Sequence, residues 1–156
     1  MTFDAEAFLS QSVSGPMSTA LPVVPEGEYR ASIGLEADDV KIEFIQGKKD
    51  PTKTYPRLTL LWKITNEAVN SEMSRETITV RDQFLLDMDS NGMLDTAEGR
   101  NVSLGQRRAA LGLNDGSFAL ANFRGAGPAL IRVTHRSNPN DPSVKYAEVS
   151  RVVALR

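Results

Sequence analysis

The chain contains no cysteine and a single histidine, His135. Without cysteine there can be no disulfide, no thiolate metal site and no cysteine nucleophile. One histidine leaves no histidine-rich metal centre and weighs against a Ser-His-Asp triad. A lone histidine of this kind is usually a hydrogen-bonded surface residue. No apolar run approaches the ~20 residues a membrane-spanning helix needs, so no membrane partner is expected. The opening MTFDAEAF is acidic, whereas a secretory signal has basic residues followed by an apolar run. The cytoplasm is therefore the expected location.

What is present fits one folded domain. At 156 residues and 40% hydrophobic content the chain can bury a real core. The net charge of −2 argues by itself against a strong nucleic-acid binder. Its distribution argues the other way. Residues 1–40 hold one basic and seven acidic residues, whereas residues 99–156 hold nine basic and three acidic ones. Residues 1–24 read as a flexible acidic arm. Asp4 is placed to cap a short helix over Ala5–Leu9 with Phe3 and Phe8 as its apolar groups, and a small, polar, proline-broken segment follows. Such an arm is also compatible with docking on a neighbouring subunit of a homo-oligomer. The folded domain is expected over 25–156.

Within it, period-two alternation marks the strands. Tyr29, Ala31, Ile33 and Leu35 form the first. Val40, Ile42 and Phe44 either continue it past a bulge at Ala37–Asp39 or form a separate short strand. Gln46–Pro56 reads as a loop, and Leu58, Leu60, Trp62 and Ile64 as the next strand. Asn66–Ser74 is polar loop, and Glu76–Leu86 a third strand. A helix is expected over Leu104–Leu111, capped by Ser103, with Val102, Leu104, Ala109 and Leu111 on its buried face and Arg107 and Arg108 on its wet face. Phe118–Gly127 is expected to be irregular and partly packed. Ala129–His135 and Val144–Leu155 are the last strands, joined by the loop SNPNDPS. The final strand is long enough to need a bulge.

The most conspicuous motif is Asp87–Glu98. Asp87, Asp89, Asn91, Asp95 and Glu98, with Gly92 at position six, match the oxygen-ligand pattern of a twelve-residue EF-hand Ca²⁺ loop. Hard cations take several oxygens, and a glycine permits the sharp turn that lets them converge. An EF-hand also needs an entering helix, yet the residues before Asp87 read as a strand. The loop is thus either a Ca²⁺ loop without that helix or a solvated acidic turn. No other cofactor is expected.

The element order, with one helix between the third and fourth of five strands, is that of a mainly β, five-stranded OB-fold-like Greek-key barrel. Such barrels bind oligonucleotides through one sheet face and the loops joining strands one to two and four to five. The first of those loops carries Lys48, Lys49, Lys53, Tyr55 and Arg57. The second is flanked by Arg132, His135, Arg136, Lys145 and Tyr146. Cations that track phosphates beside rings that stack on bases are what single-strand binding requires. Trp62, Tyr29 and Phe84 fall on core faces and are read as packing.

The segments PEGEYRASI, YPRLTLLWKI, GMLDTAEGRNVSLGQRRAALGLN, GPALIRVTHR and YAEVSRV resemble bacteriophage OB-fold single-stranded DNA-binding proteins, small proteins encoded near replication genes. The resemblance spans nearly the whole chain. Asn101, Leu104 and Gly105 match its helix start, and Gly92, Leu94 and Asp95 its turn. It implies a non-enzymatic protein that binds single-stranded DNA without sequence preference. The basic groove would be formed by Lys48, Lys49, Lys53 and Arg57 on one side and Arg132, Arg136 and Lys145 on the other, with Tyr55 and Tyr146 stacking on bases. The family's turn does not require the full calcium pattern. The chain ends in VVALR rather than an acidic tail, so recruitment of partners through such a tail is not expected. Two other readings stand beside it. One is a calcium-stabilised structural or virion-assembly protein built on Asp87–Glu98. The other, a Mg²⁺-dependent nuclease using Asp87, Asp89, Asp95 and Glu98, is disfavoured because a contiguous loop of this type saturates the ion and leaves no open coordination position.

Overall fold

The computed structural model describes residues 4–17, 23–64, 70 and 77–155. Phe3, most of the expected Asn66–Ser74 loop and Glu76 lie outside the described residues. In chain order the elements are helix α1 (Ala5–Leu9), strands β1 (Gly27–Ile33), β2 (Val40–Gln46), β3 (Thr54–Ile64) and β4 (Ile78–Leu85), helix α2 (Val102–Ala110), and strands β5 (Ala129–Asn138) and β6 (Asp141–Val153). Short 3₁₀ turns occur at Ala37–Asp39 and Leu120–Phe123.

The chain is mainly β. The six strands of the described residues form one sheet in the order β1-β5-β6-β4-β3-β2, and a further β1–β3 pairing turns that order back on itself as a ring without making a clean barrel. Among the described residues only β4 and β6 run parallel, meeting at Arg81 and Glu148. The other pairings are antiparallel.

Six strands replace the expected five because the chain breaks between β1 and β2. Asp39 is buried there, accepts a hydrogen bond from the Glu36 backbone N–H at 2.9 Å and pairs with Lys63 at 3.3 Å. The carboxylate lies so close over Gly34 that a Cβ at that position would overlap it. This polar plug separates the two strands, so residues 27–46 do not run as one.

Alternation makes the core. Tyr29, Ala31 and Ile33 of β1, Leu58, Leu60, Trp62 and Ile64 of β3, Ile78 and Val80 of β4, Ala129, Ile131 and Val133 of β5, and Val149 and Val152 of β6 all point inward and are buried. β6 keeps its apolar residues inside by a bulge. Arg132 pairs with Arg151 and Val133 with Val149, which leaves Ser150 as the extra residue. Strand pairing between β5 and β6 continues out to Asn138 and Asp141, so the tip of this hairpin is shorter than its composition suggests. The Ser143 N–H and hydroxyl both donate to the Asp141 carboxylate, which holds its pKa below the ordinary carboxylate range.

Helix α2 seats itself differently from the expected amphipathic face. Leu104 and Arg107 are its buried residues, while Val102 and Ala109 are exposed. Arg107 is not wet. It makes a bidentate pair with Asp82, from Nε to Oδ2 at 3.0 Å and from Nη2 to Oδ1 at 2.9 Å. The same Oδ2 accepts from Trp62 Nε1 at 3.1 Å, and the guanidinium lies 4.9 Å over the Phe84 ring. Asp82 is 1% exposed and Arg107 6%. Arg108 instead crosses to the next segment, donating to Leu113 O at 3.1 Å and lying 4.4 Å over Phe118. Phe118 meets the buried Phe123 edge-on at 4.9 Å, so the segment after the helix is packed as expected.

Leaving one member of a desolvated charge pair unpaired is costly. Asp82→Ala should therefore destabilise the fold by about 3–5 kcal/mol in denaturant unfolding. Arg132→Ala, which removes only an exposed 3.9 Å contact with Glu28, should change stability by no more than about 0.5 kcal/mol.

Candidate nucleic-acid interface

The inward alternation of β3 and β4 obliges their other residues to face outward. On β3 these are Tyr55, Arg57, Thr59, Leu61 and Lys63. On β4 they are Thr79, Arg81, Gln83 and Leu85. Register sets them in rows: Arg57 beside Leu85, Thr59 beside Gln83, Leu61 beside Arg81, Lys63 beside Thr79. Gln83 donates to Thr59 at 3.0 Å and Lys63 to Thr79 at 3.0 Å, which fixes two of the rows. The β4–β6 pairing carries the face on to Glu148. Among the described residues Arg81 is exposed and has no ion-pair partner.

The two loops singled out from sequence lie at opposite ends of this face. The β2–β3 loop sits at the Leu85 end of β4, because Arg57 pairs with Leu85. β6 runs parallel to β4 with Glu148 beside Arg81, so Lys145 and Tyr146, earlier in β6, lie towards the start of β4. Lys48, Lys49 and Lys53 are exposed on the first loop. Tyr55 and Arg57 belong to β3 itself and not to the loop, since the strand begins at Thr54. Tyr55 is 38% exposed, and its ring lies against Gly47, where a Cβ would be only 2.9 Å from the ring.

Arg57 is already engaged. Its Nη2 donates to Glu43 at 2.6 Å, and Lys41 approaches the same carboxylate at 3.1 Å. The Arg57 hydrogen bond, seconded by Lys41, holds the Glu43 carboxyl below the ordinary glutamate range. At the other end Arg136 faces Glu148 at 3.9 Å, and Tyr146 accepts from Asn138 at 3.1 Å. Lys145 is exposed. Arg132 sits farther round the ring, on β5 between Glu28 and Arg151, in a groove of about 730 Å³ that Leu130, Val153 and Leu155 also line. His135 serves the fold, with Nε2 2.7 Å from Val24 O where the arm joins β1.

Beside Tyr55 lies a second groove of about 470 Å³, lined among others by Lys53, Tyr55, Leu86, Asp87, Asp89, Asp95 and Arg100. It shares no lining residue with the Arg132 groove, so Lys53 and Tyr55 line one groove and Arg132 another. The acidic loop is a compact turn organised by Asn101. That residue adopts left-handed dihedrals (φ 50°). Its N–H donates to Asp87 Oδ2 at 3.0 Å, its Oδ1 accepts from Asp87 N at 2.7 Å, and its Nδ2 donates to Asp87 O and Asp95 O at 2.8 and 2.9 Å. Asp89 accepts from the N–H groups of Asn91 and Met93, and Asp95 from that of Ala97. Asn101, not Ser103, therefore stands at the helix start, and its side chain serves the loop instead of a helix N–H. Among the described residues no three Asp, Glu or His side chains converge as a metal site. Asn91 and Glu98 are exposed.

Arg81, Lys63 and Gln83 were not singled out from the sequence. Their signal was the alternation of β3 and β4, which assigns an outward face as well as a core one. No helix among the described residues is long and apolar enough to cross a membrane. No family model matches this chain, and neither a curated protein nor a solved structure matches it.

Glu43 has a lowered folded pKa, so the stability it contributes is present above the unfolded carboxylate range and is lost as pH falls through the folded value. The stability advantage of the wild type over Glu43→Gln, followed by urea unfolding, should be full at neutral pH and should vanish in acid. An advantage that grew on acidification would contradict this assignment.

Proposed function

We propose that this chain binds single-stranded DNA without sequence preference, along the outward face of β3 and β4 between the β2–β3 loop and the β5–β6 hairpin. The ring of pairings carries this reading. If β1 and β2 are counted as one strand interrupted at Gly34–Asp39, the described residues hold five strands, the only parallel pairing among them joins the third to the fifth, and α2 falls between the third and fourth. That connectivity is compatible with an OB-fold, whose ligand face and flanking loops correspond to the face and loops described above.

The chemistry of the face supports the same reading. Arg57, Arg81 and Lys63 follow one another along it, with Lys48, Lys49 and Lys53 at one end and Arg136 at the other, while Lys145, next to Tyr146, alternates to the opposite side of β6. Tyr55 and Tyr146 stand at those two ends with their rings partly exposed. Cations there neutralise phosphates, and rings offer stacking surfaces that accept any base. Side chains that read base edges are few, which favours binding without sequence preference. The reading is of a binding protein and not an enzyme, acting in the cytoplasm of a host cell. Its assignment to phage replication rests on the sequence resemblance alone.

Fluorescence anisotropy of labelled oligo-dT tests this. Affinity should fall steeply with salt and be the same in Ca²⁺ and in chelator. Arg81→Ala should reduce the slope of log affinity against log salt by about 0.7, the value for one phosphate contact on a single strand. Tyr55→Ala should cost about 1–3 kcal/mol. No binding at micromolar protein in low salt would overturn the proposal.

A further inference from the structure

Among the described strands, β2 alone pairs on one side only: β3 holds one of its edges and no strand holds the other. Its ladder with β3 runs without a break from Val40 opposite Leu60 to Gln46 opposite Thr54. The free edge therefore has neither the bulge nor the proline that commonly guards an exposed strand. Its lysine is already neutralised along the strand, with Lys41 Nζ 3.1 Å from Glu43. Its apolar face runs off the core: Val40 is 7% exposed, Ile42 37% and Phe44 67%. A seven-residue strand with one edge that no described strand pairs, and with a rising apolar face, is a template for another strand.

We propose that the strand it takes is β2 of a second copy of this chain, paired antiparallel about a two-fold axis at Ile42. The sequence of the strand, VKIEFIQ, selects that register. About Ile42, Lys41 lies opposite the partner's Glu43 and Glu43 opposite the partner's Lys41, two complementary charge pairs on one face. On the other face Ile42 meets the partner's Ile42, and Val40 meets the partner's Phe44. A two-fold centred on Lys41 or on Glu43 would set like charges directly against each other, which destabilises a cross-strand pair. Only the Ile42-centred register of these three satisfies both faces. The interface is isologous, as a two-fold requires. It consumes backbone groups at the sheet edge and leaves the outward face of β3 and β4 uncovered in both copies. The inference does not depend on what that face binds.

Sedimentation velocity of the full chain across a range of micromolar concentrations should show a concentration-dependent species with the mass of two chains. Lys41→Glu turns both complementary pairs into like-charge pairs and should weaken association about tenfold. Ile42→Cys gives a direct readout in a chain that has no other thiol. Residues facing one another across an antiparallel pair bring their Cβ atoms within about 4.5–5.5 Å, close to disulfide geometry. Mild oxidation should therefore link Ile42→Cys chains into covalent dimers much faster than Lys48→Cys chains, whose thiol sits on the exposed loop. A wild-type chain that stays monomeric throughout would overturn the proposal. So would a dimer indifferent to Lys41→Glu, or equal cross-linking rates for the two thiol variants.

Discussion

The fold turns on one carboxylate. Asp82 lies on the inward face of β4, where alternation calls for an apolar residue, and it is almost wholly buried. An isolated carboxylate there would be prohibitively costly. Three donors converge on it, two from Arg107 and one from Trp62. The arrangement joins β3, β4 and α2 at one point and fixes which side of the helix faces the sheet. The Phe84 ring closes over the guanidinium and excludes water. Because helix and strand are tied this way, the residues before the helix are placed too. Asn101, at its first turn, stitches the acidic loop to the end of β4 through Asp87 and Asp95. The wall of the groove beside Tyr55 is thus set by contacts that begin in the core.

The outward face inherits its order from the same strands. Inward Leu58, Leu60, Trp62 and Ile64 require that Arg57, Lys63 and their β4 neighbours face out. The charges there are not uniformly basic. Glu43 neutralises Arg57 and Lys41 at one edge, and Glu148 stands near Arg136 at the other. The acidic loop adds negative potential next to Tyr55. A strand of nucleic acid on the proposed face would meet its freest cations at Arg81 and on the lysine loop. The Arg57–Glu43 pair acts more as scaffold than as contact. On this reading, substituting the ion-paired Arg57 or Arg136 alters affinity less than substituting Arg81.

Much of this arrangement was legible in the sequence. The runs Leu58–Ile64 and Ala129–Val133 alternate cleanly, and alternation is a local property that tertiary context had no reason to override. The bulge in β6 was readable because Val149, Val152 and Val153 break strict alternation, and the extra residue Ser150 brings Val149 and Val152 to the same inward side. Arg107 was not legible. A positively charged residue next to another in a helix reads as solvated, and its partner Asp82 lies 25 residues earlier with no local mark of the pairing. The internal bonding of the acidic loop was not legible for a related reason. The EF-hand pattern counts oxygens by position, but here those oxygens meet backbone N–H groups, and the organising residue, Asn101, lies beyond the twelve positions. The division between β1 and β2 depended on Asp39 meeting Lys63, again a contact between distant residues.

The central claim is that nucleic acid follows the outward face of β3 and β4. Backbone and side-chain NMR shifts of the isotopically labelled protein, titrated with an unlabelled single-stranded oligonucleotide, test it residue by residue. The account predicts that the largest changes fall on Tyr55, Lys63, Arg81 and Gln83, with smaller ones on the β2–β3 loop and at Tyr146, while Asp82 and Arg107 stay still. Changes confined to the Arg132 groove, or spread over α1 and the arm with the β3–β4 face unmoved, would contradict it.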